Sequence, residues 1–449
     1  MKRLQTAVKT LLASTALAGV IAGTSASADD ALKSDVAKDY DAHLSELFRW
    51  FHQKAELSFM ENETAARLAS ELRDAGFDVT EGVAGTGVVA IMKNGPGPLV
   101  MMRADMDGLP VKELTDLPYA SRNQQKDPIG RNVFVMHACG HDVHITSLVG
   151  TARAMAARKD QWSGTLMLVG QPAEERIGGA KKMVEAGMYD TFGLPDHAMA
   201  FHVAAAVPTG KLVAVEGSAY SGADTVDIVI HGVGAHGASP HAGIDPIVLG
   251  SQIVMGLQTV VSRTLPPREA GVITVGSFHS GFKHNIISDL AKLEITVRND
   301  NMETRQILLD GIERVATNMG RVAGLPEDKL PEVTVNMEES VPPTVNDIPM
   351  TKRLRKVWAE ELGDDIFYEG KRLGMGAEDF PYFVTDPYIP STYFAVGGTP
   401  QAAFDAADAG GPPVASHHSP LFKIDPDAAV PLGVEATVLG LINLLQDGD

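Results

Sequence analysis

The densest chemistry in the chain lies in nine residues, MHACGHDVH (136–144). They hold its single cysteine, Cys139, with His137 two residues before it and His141, Asp142 and His144 after it. A thiolate and an imidazole two residues apart can be directed at one ion, and sulfur with nitrogen favours zinc or a similar borderline metal. Alternatively, a lone cysteine is a buried filler, an intermolecular bridge or a nucleophile. More donors lie in RADMDGLP (103–110), GQPAEER (170–176), FHV (201–203) and HHSP (417–420). Glu174 and Glu175 follow an apolar run and a turn-like QPA. Carboxylates withdrawn from water are costly unless paired or metal-bound. Neighbours on an extended chain point in different directions, so one glutamate can bind metal while the other acts as general base.

Short apolar runs must position these residues: GVVAIM (87–92), PLVMMRAD (98–105), TLMLVGQ (165–171) and HAMAFHV (197–203). They read as buried strands. The first four donor stretches fall at or just past strand ends, where open α/β sheets place their sites. ENETAARLASELRDAGFDV reads as an amphipathic helix capped by Asn62, with Leu68 and Leu72 on its apolar face and Gly76 as its stop. A helix-like stretch, ITSLVGTARAMAARK, separates the second and third runs. The alternation predicts an α/β domain with a largely parallel sheet.

The pattern then changes. DTVDIVIHG (224–232) alternates like a half-exposed strand, and residues 245–263 form a helical period opened by Asp245 and Pro246. GVITVGSF and AKLEITVRN read as strands, METRQILLDGIERVATNMG as a helix and PEVTVNME as a last strand. This β-α-β-β-α-β order is the split βαβ unit of a ferredoxin-like domain. The expected organisation is a leader over 1–28, a first catalytic part over 29–214, an inserted small domain over 215–340 and a second catalytic part over 341–449. The strong alternation of 224–232 is read as that of an edge strand, which needs cover.

A chain of 449 residues exceeds one ordinary core, and its composition is that of a globular protein. The net charge of −19 argues against nucleic acid as a partner, while leaving room for a local basic pocket. Lys2, Arg3 and Lys9, the apolar LLASTALAGVIAG and the ASA at Ala26–Ala28 have the three parts of a cleavable export signal. The apolar run is too short to span a membrane. The expectation is an exported protein, periplasmic or secreted, with no membrane anchor after cleavage.

Taken in order, RADMDGLP, MHACGHD, GQPAEE, FHV, GAHGASPHAGIDP, GAEDFPYF and HHSP resemble the amidohydrolases that include hippurate hydrolase, N-acyl-amino-acid amidohydrolases and auxin-conjugate hydrolases. These belong to the aminoacylase and carboxypeptidase group of dinuclear metallopeptidases. The resemblance covers nearly the whole chain after the leader. It implies a zinc-peptidase-like catalytic domain with an inserted lid and dimerisation domain. It also implies two divalent ions per subunit: zinc or manganese, with cobalt and nickel as further candidates.

Residue by residue, the resemblance makes Cys139 a bridging thiolate. It makes His141, Glu175, His202 and His418 ligands of one or the other ion, and Glu174 the general base. Asp107 orients the ligands, as metal-bound imidazoles usually require. His236, from the partner subunit of a homodimer, stabilises the negative intermediate, with His241 a second candidate in the same loop. Arg298 binds the substrate carboxylate and Asn285 assists. Val143 stands where the family usually has glycine, Ser288 where it has proline, and the segment 122–135 is longer than usual. The last two affect the substrate pocket and leave the ligands untouched.

The function so implied is metal-dependent hydrolysis of N-acyl amino acids. A dipeptidase or carboxypeptidase would use identical chemistry. A catalytically inactive metal- or solute-binding protein would need no base beside its metal, and a cysteine hydrolase leaves the glutamate pair unexplained.

Overall fold

The computed structural model describes residues 28–446 apart from residue 373, so the expected leader, but for Ala28, lies outside the described residues. The first sheet has seven strands: β1 (Asp78–Val83), β2 (Gly87–Asn94), β3 (Leu99–Asp105), β4 (Gly164–Gln171), β5 (His197–Pro208), β6 (Leu212–Val213) and β11 (Ser391–Thr399). Their spatial order is β1-β2-β4-β3-β5-β11-β6. The four central strands are mutually parallel, and the outer ones pair antiparallel. Parallel strands covered on both faces are apolar throughout, which is why 98–105 and 165–171 read as unbroken runs. Successive side chains serve opposite cores: Val100, Met102, Leu166 and Leu168 on one face, Met101, Met167 and Val169 on the other.

Helix His141–Ala157 and the closing helix Pro426–Leu445 pack together on the first of these faces. The closing helix is long and apolar enough to cross a membrane, but 67% of its apolar window is buried in the fold. Helix Asn62–Asp74 forms as expected and ends before Gly76, whose φ of +91° suits glycine. Asn62 is not its cap, however. Glu61 occupies that position and makes no capping bond, because its carboxylate accepts from Phe59 N, Ala173 N and the Thr86 hydroxyl.

The second sheet comprises β7 (Gly222–His231), β8 (Gly271–Ser280), β9 (Leu290–Asn299) and β10 (Glu332–Val341), all antiparallel, in the order β8-β9-β7-β10. Helices Pro246–Thr259 and Met302–Val322 cover one face around a core that includes Ile228, Ile253, Leu293 and Ile312. The expected βαββαβ order and the Asp245 cap, which accepts from Ile247 N at 2.8 Å, are both present. The expected edge strand is not. Residues 224–232 lie within and just after β7, between β9 and β10, and the edges are β8 and β10. Alternation records a sheet covered on one face only and is shared by inner and outer strands. Strand order follows from the split βαβ connection, which places the first strand inside. Where the chain enters and leaves this lobe, Gly217–Tyr220 and Thr344–Asn346 pair antiparallel.

Candidate metal centre and catalytic site

Three connections and one strand interior bring the donors together; FHV, expected at a strand end, lies inside its strand. His141 opens its helix directly after Gly140, whose φ is +88° and whose added Cβ would lie 2.4 Å from Val203 Cγ1. Only glycine fits between Cys139 and the helix. Beyond β4 the chain turns through Ala173, at φ +49°, into the short 3₁₀ turn Glu174–Arg176. His202 lies within β5, which runs on to Pro208 because 204–208 continue to pair with β11. His418, at φ +66°, is tied in by its N–H to Ala138 O at 2.8 Å.

Side chains from these elements converge. Cys139 Sγ is 3.4 Å from His202 Nε2, and His202 Nδ1 bonds Val203 O at 2.7 Å, leaving Nε2 aimed at the sulfur. His418 Nε2 is 3.4 Å from Glu175 Oε1. One possible ligand set is Cys139, Glu175 and His418; another is His141, Glu174 and Glu175, with the donor atoms of each set within 4.8 Å of one another. Asp107 Oδ1 stands 3.3 Å from His141 Nδ1. The same carboxylate accepts from Ser58 Oγ at 2.6 Å and from the N–H groups of Glu174 and Glu175 at 3.1 Å, so it fixes the glutamate turn and sets a negative charge beside the imidazole.

The electrostatics of this cluster call for positive charge. Burial, then Glu175, Glu174 and Asp105, push the Cys139 thiol well above its usual range. Burial, then Glu378 and Glu175, push Glu174 up strongly. Burial alone would lower His141, but Asp105 and Asp107 outweigh it and raise the imidazole to about 10. Burial lowers His202. Both ring nitrogens of His141 are buried and make no hydrogen bond of good geometry. Buried carboxylates, a thiol and an unsatisfied imidazole packed this closely fit divalent cations.

Arg298 and Glu175 line one cleft of about 460 Å³ between the lobes. His236 and Asn285 are neighbours on the small lobe, His236 pairing with Ile286 and Asn285 O accepting from Gly237 N at 2.9 Å. His241 lies in the turn Pro240–Ala242. His236, Asn285 and His241 are exposed, and none belongs to a donor cluster among the described residues.

Sequence reasoning missed the layer beneath. Asp105 Oδ1 is 2.5 Å from His144 Nδ1, and His144 Nε2 accepts from Val203 N at 2.9 Å, which couples β3, the helix and β5. Arg103, fully buried, donates to Asp105 and Glu378 at 2.7 Å and to Gln171 at 2.6 Å. His417 joins Cys139 and His202 in a third donor set. The adjacent Glu378 and Asp379 in GAEDFPYF, bounded by apolar residues, were the available signal.

A parallel-centred sheet whose connections present carboxylates, imidazoles and a thiol beside a buried glutamate defines a metal-dependent hydrolase. The comparisons specify it further: residues 101–409 match Peptidase family M20/M25/M40, and the chain belongs to that family. It is 34% identical over 389 residues to IAA-amino acid hydrolase ILR1-like 2 of Arabidopsis thaliana, covering 85% of this chain and 82% of that protein. It is 32% identical over 346 residues to hippurate hydrolase of Campylobacter jejuni, covering 77% and 86%. Among solved structures, the YXEP protein of Bacillus subtilis, a dinuclear metal binding peptidase from the M20 family, superposes with a TM-score of 0.74. The two are 27% identical over 92% of this chain and all of that one.

Proposed function

We propose that the protein hydrolyses the amide bond of N-acyl amino acids at a pair of divalent ions. One observation carries the reading: Glu175 and the half-buried Arg298 share a cleft, one residue from the buried Glu174. A single substrate can thus reach a base, metal donors and a carboxylate-binding cation. Cys139, as thiolate, would hold the ions together with His141, Glu175, His202 and His418, with Asp107 beside His141. When bound, such ions polarise a carbonyl and lower the pKa of water. The Glu174 carboxylate takes the proton of the attacking water and passes it to the leaving nitrogen. Arg298 holds the substrate carboxylate, assisted by Asn285. Sulfur and nitrogen donors favour zinc or a similar borderline metal, the carboxylates also suit manganese, and cobalt and nickel are further candidates.

In this reading the protein acts as a homodimer through its small lobe, and His236 of one subunit, with His241 beside it, stabilises negative charge at the other's site. Two observations support the dimer. Edge strand β8 is unpaired on one side among the described residues, and Val248, Met255, Phe282 and Ile286 are exposed apolar residues of that lobe. The leader at 1–28 makes it an exported enzyme.

The test is turnover of N-acyl amino acids, dipeptides and longer peptides by purified protein loaded in turn with each metal. We expect metal-dependent release of free amino acid, fastest from N-acyl substrates. Preference for peptides would make it a dipeptidase or carboxypeptidase. Two bound metals with no turnover of any substrate would make it a binding protein.

A further inference from the structure

The cleft holds more positive charge than the proposed substrate uses. Among the described residues, Arg298 donates only to Thr296 Oγ1 and Val297 O and has no acidic side chain in ion-pair range. Facing it from the catalytic lobe are Arg176, Lys181 and Lys182. Lys181 is neutralised by Glu338 at 3.1 Å. Arg176 and Lys182 have no acidic partner among the described residues. The exposed Glu339 adds one negative charge, and Glu175 is engaged by His418. Two cations without an acidic partner among the described residues, Arg176 and Lys182, therefore stand against the single carboxylate of Glu339 on the wall beside Glu175, in a protein whose net charge is −19.

That wall is held in place. Lys182 Nζ lies 4.1 Å from the centroid of the Phe59 ring, a cation–π distance. Phe59, at φ +63°, and Ile177, at φ +49°, both adopt the left-handed backbone that non-glycine residues avoid, and both line the cleft. Strain of this kind persists only where surrounding structure imposes it, and it gathers at ligand clamps. One oxygen of Glu61 imposes part of it, accepting from Phe59 N at 2.9 Å and from Ala173 N at 2.8 Å. Phe59, which carries Lys182, and the turn that carries Arg176 are thereby pinned to each other and to Glu174.

We propose that Arg176 and Lys182 form a second anion-binding subsite, so that the preferred substrate carries a carboxylate beyond the one held by Arg298. This rests on the N-acyl amino acid reading and narrows it to dianionic substrates. The second carboxylate belongs either to an acidic amino acid or to a dicarboxylic acyl group.

Isosteric pairs separate the sources: N-acetylglutamate against N-acetylglutamine, and N-succinyl-leucine against its succinamoyl analogue. At low salt the metal-loaded protein should show a kcat/KM about tenfold higher for the dianion in at least one pair, the scale of a partly screened charge contact. The preference should shrink as ionic strength rises. The double variant Arg176→Gln, Lys182→Gln should lose it while turning over the neutral partner as before and keeping its metal content. Equal kcat/KM within both wild-type pairs overturns the subsite, as does a preference that survives in the variant. If none of the four is hydrolysed, the amidase reading falls and calorimetry decides the subsite. Glutarate should then bind the wild type more tightly than butyrate and lose that advantage in the variant. Equal binding of the two by the wild type overturns the proposal.

Discussion

His52 offers a prediction whose size follows from the structure. Its Nδ1 lies 2.7 Å from Asp142 Oδ2 and its Nε2 lies 3.2 Å from Glu113 Oε2, with all three residues buried. Asp142 follows His141, so this clamp holds the helix turn that carries a proposed ligand. Burial alone would lower the imidazole, but the two carboxylates outweigh it and raise the pKa from 6.5 to about 9. The folded protein therefore holds this proton more tightly than the unfolded chain. The stabilisation is fully present below pH 6.5 and is lost as pH rises through about 9. At about 1.4 kcal/mol per pH unit, it amounts to about 3 kcal/mol. His52→Gln removes the titration. Urea unfolding of metal-free wild type and variant between pH 6.5 and 9.5 should show their stability difference shrinking by that amount. All three tryptophans, Trp50, Trp162 and Trp358, belong to or pack on the core of the first sheet, so fluorescence reports the relevant lobe. Parallel stability curves for the two proteins would refute the reasoning.

Three further outcomes are expected. Metal analysis should approach two ions per chain for wild type and fall by at least one in Cys139→Ala; full loading with full activity in that variant would remove the bridging thiolate. Glu174→Gln should keep its metals while kcat falls by a factor of about 10² or more, and its metal-free form should melt higher because a buried, like-charged carboxylate is gone; near-normal turnover would exclude Glu174 as the base. Mixing Glu174→Gln with His236→Ala should restore some activity through hybrid dimers, and no recovery despite proven subunit exchange would confine His236 to its own subunit or exclude it from catalysis.

What the sequence disclosed followed local rules. The central strands were legible because burial on both faces leaves no room for polar residues, as at Leu166 to Val169. Cys139 and His141 were legible because their spacing is short. The pairings of Asp105 with His144 and of Arg103 with Glu378 were not, since GAEDFPYF marks Glu378 as a carboxylate among apolar residues without showing the partner 275 positions away that it meets. The place of β7 inside its sheet was hidden for a related reason: alternation reports which face is wet, and strand order belongs to the connections. Asn62 misled because a capping residue type preceded the helical period, whereas the Glu61 carboxylate was already committed to Phe59 and Ala173.

The paired crossing at Gly217–Tyr220 and Thr344–Asn346 has an evolutionary consequence. Tyr220 and Thr344 are opposite each other across an antiparallel ladder, so the lobe between them begins and ends at nearly one point. Such a module can be gained, lost or exchanged with little disturbance to its host, because closing the gap takes only a tight turn. Its core shares no residue with the core of the first sheet. The proposed ligands and base all come from the host, and the proposed carboxylate-binding arginine comes from the module. Selection can therefore alter how a substrate carboxylate is met by changing one piece of chain, while the proposed metal ligands and base are inherited unaltered in the other.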